Sequence, residues 1–160
     1  MTGKTIVVLG GGVGGIVTAN ALRSRLHSQH EIILIEKNAE HAFAPSFLWL
    51  MTGDRQPEKI TKPIRTLLHT DVQVVEEEVT GIDVVSKQVT TNHRTFTYDY
   101  LVIALGAELA PELIPGLAEN AHSFYTYNET QKLQKVLSRF ESGNIALVVS
   151  SLPYKCPGAP

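Results

Sequence analysis

The 160-residue chain has a single cysteine, Cys156, few aromatics (7%), a formal charge of only -2 and no run of basic residues. One cysteine excludes a disulfide framework and fits a reducing, cytoplasmic compartment. Near-neutral charge without a basic cluster leaves no electrostatic footprint for a nucleic-acid backbone. Long uninterrupted apolar runs are missing as well. The longest candidate, Thr5 to Leu22, is broken by five glycines and by Thr18 and Asn20, so it reads as neither a signal peptide nor a membrane span. The six histidines have no metal-ligand spacing, and no metal is assigned; scattered surface or loop histidines are the expectation. What remains is an ordinary globular composition, 43% hydrophobic and 19% charged, with a length suited to about one core.

Thr5–Leu9 and Glu31–Ile35 are short β-branched runs separated by an interval that fits a crossover helix. Within it Gly15, Ala19, Leu22 and Leu26 recur at helical spacing, forming a stripe suited to packing on a parallel sheet. From His41 to Gly53 the aromatic and apolar text is interrupted by Pro45, with Pro57 beyond it, which predicts a loop with short helical pieces. Val72 to Tyr98 reads as a small antiparallel meander, and Leu101–Leu105 as a buried strand ending at Gly106. A proline-rich link follows. Thr126 and Glu129 then form a capping box ahead of Leu133, Val136, Leu137 and Phe140, with Gly143 at the expected helix C-cap. Asn144–Val149 reads as one more strand. A parallel strand needs neighbours on both sides, so a chain stopping about ten residues later reads as a fragment. The domains expected are 1–110 and a truncated 111–160.

Gly10, Gly12 and Gly15 match G-x-G-x-x-G, with Gly11 and Gly14 as additional glycines beside Val13. A strand before, a helical stripe after and Glu36 at the end of the second strand make this a dinucleotide-binding βαβ unit rather than a merely structural turn. The first glycine permits the turn, the second lets backbone approach a pyrophosphate, and the third lets helix pack on strand. Phosphates would sit at the positive helix end, and Glu36 would accept hydrogen bonds from ribose hydroxyls. FAD and NAD both present an ADP moiety to such a turn, so the motif leaves the choice open.

The order of glycine turn, Glu36-Lys37, meander and Tyr98-Asp99-Tyr100-Leu101-Val102-Ile103-Ala104-Leu105-Gly106 resembles the FAD-dependent pyridine nucleotide-disulfide oxidoreductase superfamily. That superfamily usually has Ala-Thr-Gly where Ala104-Leu105-Gly106 stands. The departure is similar to the sulfide:quinone reductase and flavocytochrome sulfide dehydrogenase branch. Two further stretches resemble that branch: His41-Ala42-Phe43-Ala44-Pro45, like a loop reaching the flavin, and Pro153-Tyr154-Lys155-Cys156-Pro157-Gly158-Ala159-Pro160, like a segment carrying a redox cysteine. The resemblance implies an α/β fold: a Rossmann-like FAD-binding βαβ unit with a parallel sheet and a small antiparallel meander, and the start of a second Rossmann-like domain.

The resemblance also implies FAD held by Gly10, Gly12, Val13, Gly14, Gly15, Glu36 and Lys37. Val79 and Ala104, Leu105 and Gly106 would lie on the adenine and ribose side, Pro45 and Ser46 would approach the flavin, and Cys156 would be catalytic. Sulfide and a quinone are then the small-molecule partners, with peripheral membrane contact through a missing C-terminal part and homo-oligomerisation as family expectations. Lys155 beside Cys156 favours the thiolate, the reactive form. A dithiol mechanism needs a second cysteine, which this chain lacks, so the 160 residues alone are expected to be inactive. The alternatives are a type II NADH:quinone dehydrogenase-like enzyme, an inactive FAD-binding module, and a persulfide sensor. NADH use is disfavoured because Ser150-Ser151-Leu152-Pro153, rather than a second glycine fingerprint, follows Val149.

Overall fold

A computed structural model describes residues 3–149. In chain order the elements are β1 (Thr5–Leu9), α1 (Val13–Arg25), β2 (Glu31–Glu36), β3 (Glu40–Ala42), α2 (Phe47–Thr52), α3 (Pro57–Ile60), β4 (Thr61–Pro63), β5 (Gln73–Glu76), β6 (Val79–Asp83), β7 (Gln88–Thr91), β8 (Thr95–Thr97), β9 (Tyr100–Ile103), α4 (Leu117–Asn120) and α5 (Tyr127–Leu137). They form two compact units. One contains the residues up to Phe43 with Glu58–Glu108, and the other Ala44–Pro57 with the chain from Leu109.

The first unit is an α/β layer structure built on a parallel sheet of order β5-β2-β1-β9. Side chains alternate across its two faces because successive strand residues point opposite ways. Ile6 and Val8 of β1 and Ile32 and Leu34 of β2 pack on one face with Ile16 and Ala19 of α1. Val7, Leu9, Ile33 and Ile35 pack on the other with Val75, Val89 and Tyr98. Each aliphatic side chain removed from water in this way contributes about 1.5–3 kcal/mol, which is why runs of β-branched residues form the middle layer. The helical stripe falls where the spacing predicts: Gly15 and Ala19 are buried, and Leu22 and Leu26 are partly buried against the same core. Buried Arg23 closes the turn after α1 by donating to the carbonyls of Leu26, His27 and His30 at 2.7–2.9 Å.

Several local expectations differ from the structure. Gln73–Glu76 is not part of the meander but the edge of the parallel sheet, because Val74 and Val75 are both buried, one on each face. The antiparallel meander is β6-β7-β8 alone. Strand β9 ends at Ile103, not Leu105. It forms a sheet edge that is covered only in part: Leu101 and Val102 are half-buried, whereas Ile103 and Leu105 are exposed. Asn144–Val149 forms no strand; Ile145, Leu147 and Val148 are all about 70% exposed, and no described strand pairs with the segment, without which a strand cannot exist.

In the second unit α2 buries Phe47 and Leu50 and packs against α5, where Phe47 and Tyr127 meet at a ring-centroid distance of 6.3 Å. Thr126 caps α5 as its spacing predicts, its hydroxyl accepting from Glu129 N–H at 3.3 Å. Glu129 does not close the box; its carboxylate instead pairs with Lys132. Gly143 is not the C-cap. The helix stops at Ser138, where Arg139 and Phe140 donate to the carbonyls of Val136 and Leu137 in tightened three-residue turns.

Asp99 anchors the entry to β9. It accepts from Lys4 Nζ at 2.8 Å and from Thr5 N–H at 2.9 Å, and these bonds hold its carboxyl below the usual carboxylate range. A depressed folded-state pKa adds stability above the unfolded pKa and loses it as pH falls through the folded value. Lowering the pH from about 6 to about 3 is expected to reduce the thermal midpoint more in the wild type than in Asp99→Asn, which has no carboxyl to protonate there. Melting curves at several pH values check this, and parallel curves for the two proteins would rule the contribution out.

Candidate functional site

The glycine turn lies at the carboxyl end of β1, the position where open α/β sheets present ligand crevices. Gly10 has φ +101°, and a Cβ there would come within 2.4 Å of the Ala104 carbonyl oxygen. Ala104 N–H in turn donates to Leu9 O at 2.8 Å, so the end of β9 closes over the turn. At Gly15 a Cβ would lie 1.8 Å from Gly10 O, which is close helix-on-strand packing that admits no side chain. Gly12 is different: it is exposed, and nothing lies within 4 Å of where its Cβ would be. Its lack of a side chain is therefore not required by the protein's own packing.

Gly11, outside the G-x-G-x-x-G pattern, is buried in the turn as well. Its N–H donates to Glu36 Oε2 at 2.7 Å, its carbonyl accepts from His41 Nδ1 at 3.0 Å, and a Cβ would meet Ile64 Cδ1 at 2.6 Å and Glu36 Cγ at 2.8 Å. Glu36 Oε1 accepts from the backbone and side-chain amides of Asn38 at 2.9 and 2.8 Å. Glu36 thus ties the end of β2 to the turn, and its half-exposed carboxylate keeps lone pairs for further donors. In the sequence Gly11 stands as an extra glycine of the turn and His41 as the first residue of a stretch resembling a flavin-reaching loop, with no local signal linking the two. Only the fold brings them together, because His41 comes from the β3–β4 ribbon thirty residues away.

Helix α1 begins at Val13 with Gly12 as N-cap, no side-chain cap and no acidic residue in its first turn. Its leading N–H groups are therefore left for another acceptor, and a helix start of this kind favours an anion. Exposed Gly12, Val13 and Gly14 form its surface. These features fit the pyrophosphate of a dinucleotide: a positive helix end, and a space at Gly12 that a Cβ would occupy.

The other predicted residues are distributed unevenly. Ala104 adjoins the turn, its Cβ 3.8 Å from where a Cβ of Gly14 would be, and Leu105 and Gly106 follow it, exposed. Lys37 pairs with Glu78 at 3.2 Å. Val79 packs against the meander-side core. Pro45 and Ser46 belong to the second unit, where Pro45 is exposed and Ser46 is buried, its hydroxyl accepting from Arg55 Nη1 at 2.6 Å. Arg55 also lies over the Trp49 ring, 4.4 Å from its centroid. Cys156 lies outside the described residues. Among those residues no cluster of three His, Cys, Asp or Glu has metal-site geometry, and no helix is long and apolar enough to cross a membrane.

Comparison with known proteins places the fold and glycine turn in context. Residues 4–149 match the pyridine nucleotide-disulphide oxidoreductase family. The chain belongs to that oxidoreductase family. It is 36% identical to the sulfide-quinone reductase of Aquifex aeolicus over 94% of this chain and 35% of that protein, and 28% identical to the mitochondrial sulfide:quinone oxidoreductase of Mus musculus over 97% and 36%. A type II NADH:quinone oxidoreductase of Staphylococcus haemolyticus is 34% identical over 82% and 33%. The X-ray structure of the Aquifex aeolicus sulfide:quinone oxidoreductase superposes with a TM-score of 0.77 at 36% identity, covering 84% of this chain and 32% of that one. The α/β architecture with a parallel sheet and small antiparallel sheets is thus the family's fold. The chain spans about a third of the length of these relatives.

Proposed function

We propose that the chain supplies the FAD-binding part of a flavin-dependent oxidoreductase that oxidises sulfide at Cys156 and delivers the electrons to a quinone. The observation that carries the cofactor reading is the uncapped start of α1 beside the open space at Gly12. Gly12, Val13 and Gly14 would bind the pyrophosphate through backbone N–H groups, with Gly10 and Gly15 supplying the turn geometry and Glu36 accepting from the ribose. Ala104, Leu105, Gly106, Val79 and Lys37 are assigned to the adenine and ribose side, and Pro45 and Ser46 to the flavin side.

When bound, FAD supplies a two-electron acceptor. The Cys156 thiolate, favoured by Lys155, attacks no carbon; it joins hydrosulfide to form a persulfide, Cys–S–S⁻, with release of one proton and two electrons. Those electrons end on the quinone, which takes two protons to become the quinol. Sulfide as donor is supported by the similarity to two sulfide:quinone oxidoreductases and by the cysteine segment. A quinone acceptor fits both these relatives and the NADH-using one. Because quinones reside in membranes, the reading includes peripheral membrane contact.

The second reading, NADH as donor, is favoured by the similarity to the Staphylococcus haemolyticus enzyme. Anaerobic titration of the flavin-loaded protein with sulfide, and separately with NADH, distinguishes the two. Sulfide is expected to bleach the flavin absorbance, and Cys156→Ala to slow that bleaching by at least about 100-fold. Bleaching by NADH alone would overturn the sulfide reading.

A further inference from the structure

We infer that His41 is a positioning residue for dinucleotide binding, which it serves by fixing the peptide between Gly11 and Gly12; the inference rests on the FAD reading above. The Gly11 carbonyl can only accept, so the 3.0 Å contact requires the hydrogen on His41 Nδ1. The C=O and N–H of a trans peptide point in opposite directions from one plane. Drawing Gly11 O toward His41 therefore turns Gly12 N–H away from His41, on a residue that is itself exposed at the start of α1.

This peptide needs an external hold. It joins two glycines, whose backbones reach positive and negative φ with little preference, so flipping it is easy in the absence of partners. A flipped peptide would present a carbonyl oxygen to the phosphate in place of an N–H, exchanging attraction for repulsion. Glu36 fixes the preceding peptide through Gly11 N–H and leaves this one free to rotate. His41 controls it.

The histidine is itself held. It pairs with Lys62 in the β3–β4 ribbon, whose ends are closed by Phe43 N–H to Ile60 O at 2.8 Å and Ile64 N–H to Ala39 O at 2.9 Å. Ile64, just after β4, is 1% exposed and seats the ribbon in the core directly beneath Gly11.

The test measures FAD and ADP affinity by fluorescence titration, and thermal unfolding of the flavin-free protein, for the wild type and three variants. Asn places an amide N–H near the position of Nδ1, Gln places one near Nε2, and Leu offers none. His41→Leu and His41→Gln are expected to weaken both ligands roughly tenfold with little change in the flavin-free melting point, and His41→Asn to stay within about threefold of the wild type. If the Leu variant does not fold, the contrast between Asn and Gln decides. Undiminished binding by the Leu or Gln variant, or an Asn variant as weak as Gln, would overturn the role of His41 and leave FAD binding standing. Failure of the wild type to bind either ligand would overturn both.

Discussion

Gly15→Ala is expected to lower the thermal midpoint by on the order of 10 °C or to prevent soluble folding, although alanine is intrinsically the better helix former by about 0.5–1 kcal/mol. The added Cβ would lie 1.8 Å from Gly10 O and 3.0 Å from Gly10 C, both backbone atoms of a turn already closed by Ala104. No side chain can rotate out of the way. Relief requires α1 to withdraw from β1, which uncovers Ile16 and Ala19 and the sheet residues Ile6, Val8, Ile32 and Leu34 beneath them. Overpacking of this kind costs about 1–3 kcal/mol when neighbours can yield, and more where backbone must move. Set against a typical total stability of about 5–15 kcal/mol, the loss is large. A circular-dichroism melt of the two proteins measures it. A raised midpoint would mean that propensity outweighs packing and that helix and strand are not in close contact at this position.

Gly12→Ala is expected to do the reverse: leave the fold nearly as stable while lowering FAD affinity by at least about 100-fold. No atom lies within 4 Å of the new methyl, so folding should lose only up to about 1 kcal/mol from the poorer N-cap. The same methyl stands on the exposed start of α1, where the backbone must meet the pyrophosphate closely for its N–H groups to reach it. Flavin retained per chain and the titrated Kd report the binding, and a melting curve reports the fold. Unchanged affinity would show that phosphates do not approach Gly12 and would remove the main support for the cofactor reading. Together the two substitutions separate the glycine that the fold requires from the glycine that the ligand requires, a distinction the motif itself does not draw.

Most departures from the sequence reading concern interactions between distant parts of the chain, whereas the end of α5 is a local one. Thr126 could be recognised as a cap because its acceptor role involves only Glu129, three residues on. The end of α5 was misplaced because Gly143 is a good local stop signal, but the chain leaves the helix earlier by tightening its last turns. Gln73–Glu76 looks like a meander strand locally, and only its pairing with Ile33–Glu36 makes it part of the parallel sheet. In Asn144–Val149 a strong β-branched pattern has no described partner and remains irregular and exposed. Strand propensity describes how well a residue suits a half-buried pleated surface, and cannot by itself supply the neighbouring strand.

The sequence by itself determined the βαβ unit, the glycine turn, the acid at the end of β2 and the capped α5, because each is written in contiguous periodicity or short fixed spacing. Only the tertiary structure decided which strands pair, that the Ala104 carbonyl closes over Gly10, and that Glu36, His41 and Ile64 converge on Gly11. The pairings of the parallel sheet and the contacts at the turn join residues 25 or more positions apart, and their existence depends on how separate elements are brought together by burying both faces of one sheet.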